Sequence, residues 1–200
     1  MPKTVLAIVG TYRKAGIVDT AVNEILKAAQ AAGAQTSKIY IIDKRIEFCT
    51  NCRACTQQPG PAIGTCPIND DMAAILDRLD SADALVIASP INFFNVTAVT
   101  RKFLERLLVY VYWPLGSTIP KYRVTKSGKK AVLVTSSGAP AFIGKILFRP
   151  ALGALKAIAR CFGAKVVARL YFGLVAQQPD STLNQKDLAR AYKAGLKLVQ

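Results

Sequence analysis

Apolar residues along the 200-residue chain follow two rhythms. Short unbroken runs recur at Thr4 to Val9, Lys38 to Ile42, Ala84 to Ala88, Ala131 to Thr135 and Lys165 to Tyr171, and each reads as a strand. Between them, apolar positions return every three or four residues, as at Ala21, Val22, Ile25, Leu26 and Ala29. That spacing predicts helices over about Asp19 to Ala32, from Asn69 or Asp70 to Leu79, Val96 to Tyr112, within Ala141 to Phe162, and Gln185 to Val199. Gly33 and Gly163 sit where helices should stop. Strands that are apolar throughout, instead of alternating, are buried on both faces, and five of them alternate here with helices. The pattern predicts an α/β fold with a doubly wound, five-stranded parallel sheet. No repeat or linker divides the chain, so residues 1–200 are expected to form a single domain. Two stretches break the alternation: an irregular Cys/Gly/Pro-rich loop at 48–68 and a Pro/Gly excursion from Trp113 to Gly128.

Composition supports a packed core, with 52% hydrophobic and 20% charged residues. No uncharged apolar run approaches the ~18 residues of a membrane span; Ala84 to Thr100 comes nearest and is broken by Pro90. The first apolar run ends at Gly10 and belongs to the fold, so no signal peptide is expected. A cytoplasmic, reducing setting follows, in which disulfides are a poor use for the cysteines. The net charge of +15 lies wholly in the second half: residues 1–100 hold nine basic against nine acidic residues, and residues 101–200 hold eighteen against three. The basic residues are scattered and no recognition motif accompanies them, so nucleic acid is not expected as a partner. Phe142 to Phe162 reads as a sheet-covering helix with a basic outer face, the alternative being a membrane-surface or partner face. The chain has no histidine, which excludes imidazole bases, His triads and His-ligated metals.

In a doubly wound sheet, ligands bind beyond the C-terminal ends of the strands. The loop after the first strand, Gly10 to Thr20, leads into a helix N-terminus suited to phosphate, with Thr11, Arg13 and Thr20 offering donors. The loop after the third strand, Ser89-Pro90-Ile91-Asn92-Phe93-Phe94-Asn95, carries aromatics that either wall a flat ligand or close the core. The loop after the fourth, Ser136-Ser137-Gly138, is small enough for close backbone approach.

Together these loops resemble those of the NADPH-dependent FMN reductase family, which usually reads Gly-Ser-x-Arg-x-x-Gly-Asn-Thr in the first and Ser-Pro-x-Tyr in the second. Gly10, Arg13 and Gly16 match, Thr11 stands where Ser is usual, and Ile17-Val18 replaces Asn-Thr unless Asp19-Thr20 takes that place after an insertion. Ser89-Pro90 matches the second loop. The resemblance implies a flavodoxin-like fold of strand order 2-1-3-4-5 and a bound FMN. The flavin would be held by Thr11, Arg13, Gly16, Ile17, Val18 and Thr20, by Pro90, Ile91, Asn92, Phe93, Phe94 and Asn95, and by Ser136, Ser137 and Gly138. Hydride would pass from NAD(P)H through the flavin to a flavin, quinone or similar small acceptor, with no catalytic side chain expected. The alternative is an electron carrier working between protein partners. The resemblance also implies a homodimer or tetramer, and the aromatic segment from Leu107 to Tyr122, with Tyr110, Tyr112 and Trp113, offers a subunit contact over the flavin.

Cys49-x2-Cys52-x2-Cys55-x10-Cys66-Pro67 groups four of the five cysteines. Its first two spacings match a ferredoxin run, although the last gap is longer. The motif resembles that of iron–sulfur flavoproteins, which implies a [4Fe-4S] cluster on Cys49, Cys52, Cys55 and Cys66. Structural zinc and a metal-free loop are the other readings. Cys161 reads as a buried small hydrophobe.

Overall fold

Residues 2–177 and 181–200 are described by a computed structural model. The five apolar runs become β1 (Thr4–Val9), β2 (Gln35–Tyr40), β3 (Ala84–Ala88), β4 (Lys130–Ser136) and β5 (Lys165–Phe172). They form one parallel sheet, as the pattern predicts, in the order β2-β1-β3-β4-β5 that the family resemblance implies. Successive side chains on a strand point to opposite faces, so one run supplies two cores. Leu6, Ile8, Leu85, Ile87 and Leu133 pack with α2 (Met72–Ser81), α3 (Ala98–Arg106) and α5 (Arg149–Cys161). Val5, Ala7, Val9, Val86, Val132 and Val134 pack under α1 (Ile17–Ala31) and α6 (Gln185–Val199).

Several boundaries differ from expectation, each for a local reason. β2 ends at Tyr40 because Ile41–Asp43 tightens into a 3-10 turn. α1 starts two residues early: Gly16 is its extended N-cap, and Asp19 in the first turn accepts the Ala15 N–H at 2.8 Å. α2 starts at Met72, whose N–H is accepted by Asp70 Oδ1. The helix expected to reach Tyr112 ends at Arg106; a 3-10 turn and a small hairpin, Val111–Tyr112 with Lys121–Tyr122, follow. The β-branched and aromatic residues from Val109 to Tyr112 favour extended backbone over helix. Tyr110 is fully buried, its hydroxyl donating to Asp80 Oδ2 at 2.8 Å, so it belongs to the core and not to a subunit contact. Residues 141–162 form two helices, α4 (Ala141–Leu147) and α5, meeting at Phe148.

Two polar anchors fix the loops above the sheet. In the first, Ser89, Thr97 and Thr100 form a buried hydroxyl cluster. Thr97 Oγ1 donates to the Gly10 carbonyl at 2.6 Å, and Thr97 also caps α3. Gly10 lies so close that a Cβ there would come within 1.7 Å of Thr100 Oγ1. In the second, the Arg106 guanidinium pairs with the buried Asp70 carboxylate and donates to the Glu47 carbonyl at 3.0 Å. Asp70 also accepts the Glu47 and Met72 N–H groups, so both ends of the cysteine loop are tied to α3.

The first anchor predicts that Gly10→Ala destabilises the fold by about 1–3 kcal/mol, the usual penalty of overpacking, read from the urea midpoint. The second predicts that Asp70→Asn, by leaving a buried guanidinium without its counter-charge, costs about 3–5 kcal/mol. Burial opposes ionisation of Asp70, but Arg106 and the two N–H groups outweigh it and hold its carboxyl below the ordinary range. Its stabilising contribution is therefore complete above the unfolded value of about 3.9 and is lost as pH falls through the lower folded value. Urea midpoints should drop on that acid limb in the native chain and less steeply in Asp70→Asn.

Candidate functional site

A cleft of about 540 Å³ opens above the C-terminal ends of β1, β3 and β4, where the three loops converge. Thr11, Arg13, Gly16, Ile17 and Val18 come from the first loop, Pro90, Ile91 and Asn92 from the second, and Ser136, Ser137 and Gly138 from the third. Eleven of the fifteen residues expected to hold FMN thus line one cavity. The other four lie outside its lining. The Thr20 hydroxyl turns back to donate to the Ala15 carbonyl at 3.3 Å. Phe93 and Phe94 neither wall the cleft nor close the core: they are the turn of a hairpin joining Ile91–Asn92 to Asn95–Val96. Both have positive φ, 45° and 69°, as a two-residue hairpin loop demands. Phe93 is 96% exposed. Asn95 accepts the Val96 N–H with its own Oδ1.

Sequence reasoning missed Tyr12, Val175, Ala176, Gln177 and Ser181, which also line the cleft. The last four follow β5, and the available signal was Gly173. A Cβ on Gly173 would meet the Ala141 N at 2.4 Å, and this close pass lets the Leu174 and Val175 N–H groups reach the Ala139 and Ser137 carbonyls. Ser137 is held from below as well, its hydroxyl 2.6 Å from that of Tyr171.

The cleft suits an anionic ligand at the start of α1. No side chain caps this helix, and the first N–H groups of any helix lack intrahelical acceptors and carry the positive end of its dipole. Thr11 Oγ1 accepts the Arg13 N–H at 3.1 Å and so shapes the turn that presents them. The nearby acid is turned away from the cleft: the Asp19 carboxylate is buried against Lys38 Nζ at 2.7 Å and Tyr40 hydroxyl at 2.8 Å. Burial opposes its ionisation, yet Lys38, the Ala15 N–H and Tyr40 together hold it below the ordinary carboxylate range. Its charge is spent on Lys38 and does not oppose an anion at the helix start.

Around the cysteine loop, arginines hold main-chain oxygens. Arg53 donates to the Trp113 carbonyl at 2.6 Å and stacks on that indole, and Arg123 donates to the carbonyls of Cys55, Gly60 and Val109. Gly64 passes Cys55 so closely that a Cβ would fall 1.7 Å from the Cys55 carbonyl oxygen. Cys55 is buried, Cys49 and Cys66 are half-buried and Cys52 is exposed. Among the described residues, no three or more His, Cys, Asp or Glu side chains are grouped to hold a metal ion. The four thiols expected as cluster ligands share this loop: burial first, and then the neighbouring Cys66, Cys49 and Cys52, push the Cys55 thiol up. Cys161 is buried, as expected, and burial pushes its thiol up to about 12. The Ala54 N–H and the Thr50 side chain lower the Cys52 thiol instead. Mild iodoacetamide treatment followed by peptide mass mapping should find Cys52 alkylated first and Cys161 last.

Comparison with known proteins agrees with this geometry. A family model described as NADPH-dependent FMN reductase matches residues 3–175. An iron-sulfur flavoprotein from Archaeoglobus fulgidus is 33% identical over 109 residues, covering 54% of this chain and 47% of its own. Another from Methanocaldococcus jannaschii is 32% identical over 102 residues, covering 51% and 50%. The chain spans about half the length of these curated relatives. Among solved structures, an NAD(P)H:quinone oxidoreductase from Methanothermobacter marburgensis superposes with TM-score 0.74 at 17% identity, over 100% of this chain and 98% of that one. An FMN-dependent NADH-azoreductase from Bacillus anthracis reaches 0.69 at 14%, over 99% and 100%. At such identities the superpositions speak for the fold. With the family match running from β1 through the segment after β5, the chain belongs to the NADPH-dependent FMN reductase family.

Proposed function

We propose that this chain is an NAD(P)H-dependent oxidoreductase that binds FMN in the cleft above β1, β3 and β4 and reduces a flavin, a quinone or a similar small acceptor. The observation that carries the reading is the uncapped start of α1 opening into a cleft whose nearest carboxylate is already engaged by Lys38. Bound FMN would supply the hydride chemistry between the nicotinamide and the acceptor. The N–H groups of Ile17 and Val18, with Arg13, would hold the phosphate. Pro90, Ile91 and Asn92 on one side and Ser136, Ser137 and Gly138 on the other position the ring. Tyr12 and the 175–177 segment narrow the mouth and keep water from the reacting edge. Tyr171 fixes the rotamer of Ser137 from beneath. No imidazole is needed, because hydride transfer asks the protein for orientation more than for a proton.

The electron-carrier reading draws on the relatives named iron-sulfur flavoproteins. Electrons would then pass between protein partners and no small acceptor would turn over. Cys49, Cys52, Cys55 and Cys66, neighbours in one loop, would be the ligands of a [4Fe-4S] cluster, which would supply one-electron steps. The five free thiols fit a reducing compartment such as the cytoplasm, and homodimers or tetramers are expected from the family resemblance.

Purified protein mixed with FMN should retain flavin absorbance through gel filtration and oxidise NADPH or NADH when given a quinone. Arg13→Ala should weaken FMN binding by roughly 10- to 100-fold, as loss of a charged hydrogen bond would. Failure to take up FMN would sink the proposal. Flavin uptake without turnover of any small acceptor would favour the carrier, and iron and sulfide analysis of anaerobic preparations would test the cluster separately.

A further inference from the structure

α4 is built in an unusual sense. Its buried residue is Gly144, set so close to the Tyr171 hydroxyl that a Cβ would lie 2.0 Å from it. With glycine as the inward contact, the large apolar residues point outward: Phe142, Ile143, Ile146 and Leu147 are 73%, 45%, 66% and 49% exposed. The patch continues through Phe148, whose ring lies 5.6 Å from that of Phe94, to the exposed Phe93 at the hairpin tip. Isolated exposed apolar residues are ordinary, but a contiguous group of this size marks a contact surface.

Charge identifies the kind of contact. Lys145 lies on α4 and Arg149 opens α5 just past Phe148, and Lys145 shares a crevice with Lys156 and Arg169. No Asp or Glu occurs between Glu105 and Asp180, so nothing in this long stretch answers those cations. A second copy seated on the patch would bring Lys145 and Arg149 against like charge. A short helix with exposed Phe, Ile and Leu beside uncompensated Lys and Arg has the chemistry of an interfacial element on an anionic bilayer.

We propose that the α4 patch docks this protein on the surface of anionic lipid membranes, Phe142, Ile143, Ile146 and Leu147 entering the headgroup region while Lys145 and Arg149 meet lipid phosphates. No helix among the described residues is long and apolar enough to cross a membrane, so the contact is peripheral. The inference is independent of the flavin. Asn92 and Gly138 line the cleft immediately before the hairpin tip and α4, so docking brings the cleft mouth beside the bilayer.

The test is co-sedimentation of the whole chain with vesicles made of an equal mixture of phosphatidylglycerol and phosphatidylcholine, or of phosphatidylcholine alone. Binding to the mixed vesicles, weakened by salt and much weaker on phosphatidylcholine, is expected. Lys145→Glu with Arg149→Glu should lower partitioning by roughly thirty-fold or more, since each surface cation contributes about a factor of five and reversal adds repulsion. Phe142→Asp with Ile146→Asp should abolish it. FMN uptake measured on the same samples controls for folding and reports on the flavin reading separately. Absence of binding to the anionic vesicles overturns the proposal, as does equal binding to both vesicle types or binding unmoved by either double variant. A dimer that Phe142→Asp with Ile146→Asp splits, without vesicle binding by the native chain, would assign the patch to self-association instead.

Discussion

Three hydroxyls sealed beneath the loops hold the cleft together. Ser89 follows β3, Thr97 caps α3 and Thr100 lies in its first turn, yet their oxygens meet in one cluster that also takes in the Gly10 carbonyl. Buried hydroxyls are costly unless each finds a partner, so this cluster forms as a whole or not at all. When it forms, the end of β1 is drawn against the start of α3, and the first and second loops face each other across a fixed gap. Gly10 has no side chain because there is no room for one beside Thr100. The geometry of the turn that leads into α1 is thus set from the second loop, through a contact buried beneath the cleft.

The sheet was legible in the sequence because its signal is redundant. Five apolar runs, each flanked by a glycine or polar break, leave few foldings once strands are parallel and crossovers right-handed. The three loops were legible for a related reason, since in such a sheet position along the chain fixes position in space. What stayed hidden depended on atoms meeting across long sequence separations. Phe93 and Phe94 looked like ligand walls because composition does not reveal a hairpin turn, whose evidence is a pair of positive φ angles. Tyr110 looked like a surface aromatic because its partner, Asp80, lies thirty residues away. The segment after β5 was overlooked because its role comes from Gly173 passing close to Ala141, not from any motif of its own.

The uneven charge also takes on meaning only in three dimensions. Acidic residues of the first half are used internally: Asp19 on Lys38, Asp70 on Arg106, Asp80 on Tyr110. Basic residues of the second half are used both ways. Arg106 and Arg123 are consumed in holding loops, while Lys145, Lys156 and Arg169 line a crevice without an acid among its walls. A net charge of +15 therefore describes a protein with one electrostatically settled end and one unsettled side.

The manner in which the cysteine loop is fastened has an evolutionary corollary. Arg106 and Arg123 grip it by the carbonyl oxygens of Glu47, Cys55 and Gly60, while Arg53 within the loop reaches out to that of Trp113. Every amino acid carries a carbonyl, so most positions between the clamps can mutate without loosening them. At Cys49 and Cys52 in particular, selection on folding exerts little hold on side-chain identity. Such a loop can drift between thiol-bearing and thiol-free forms while the frame around it stays intact, which makes it a place where chemistry can be gained or discarded at small cost to the fold.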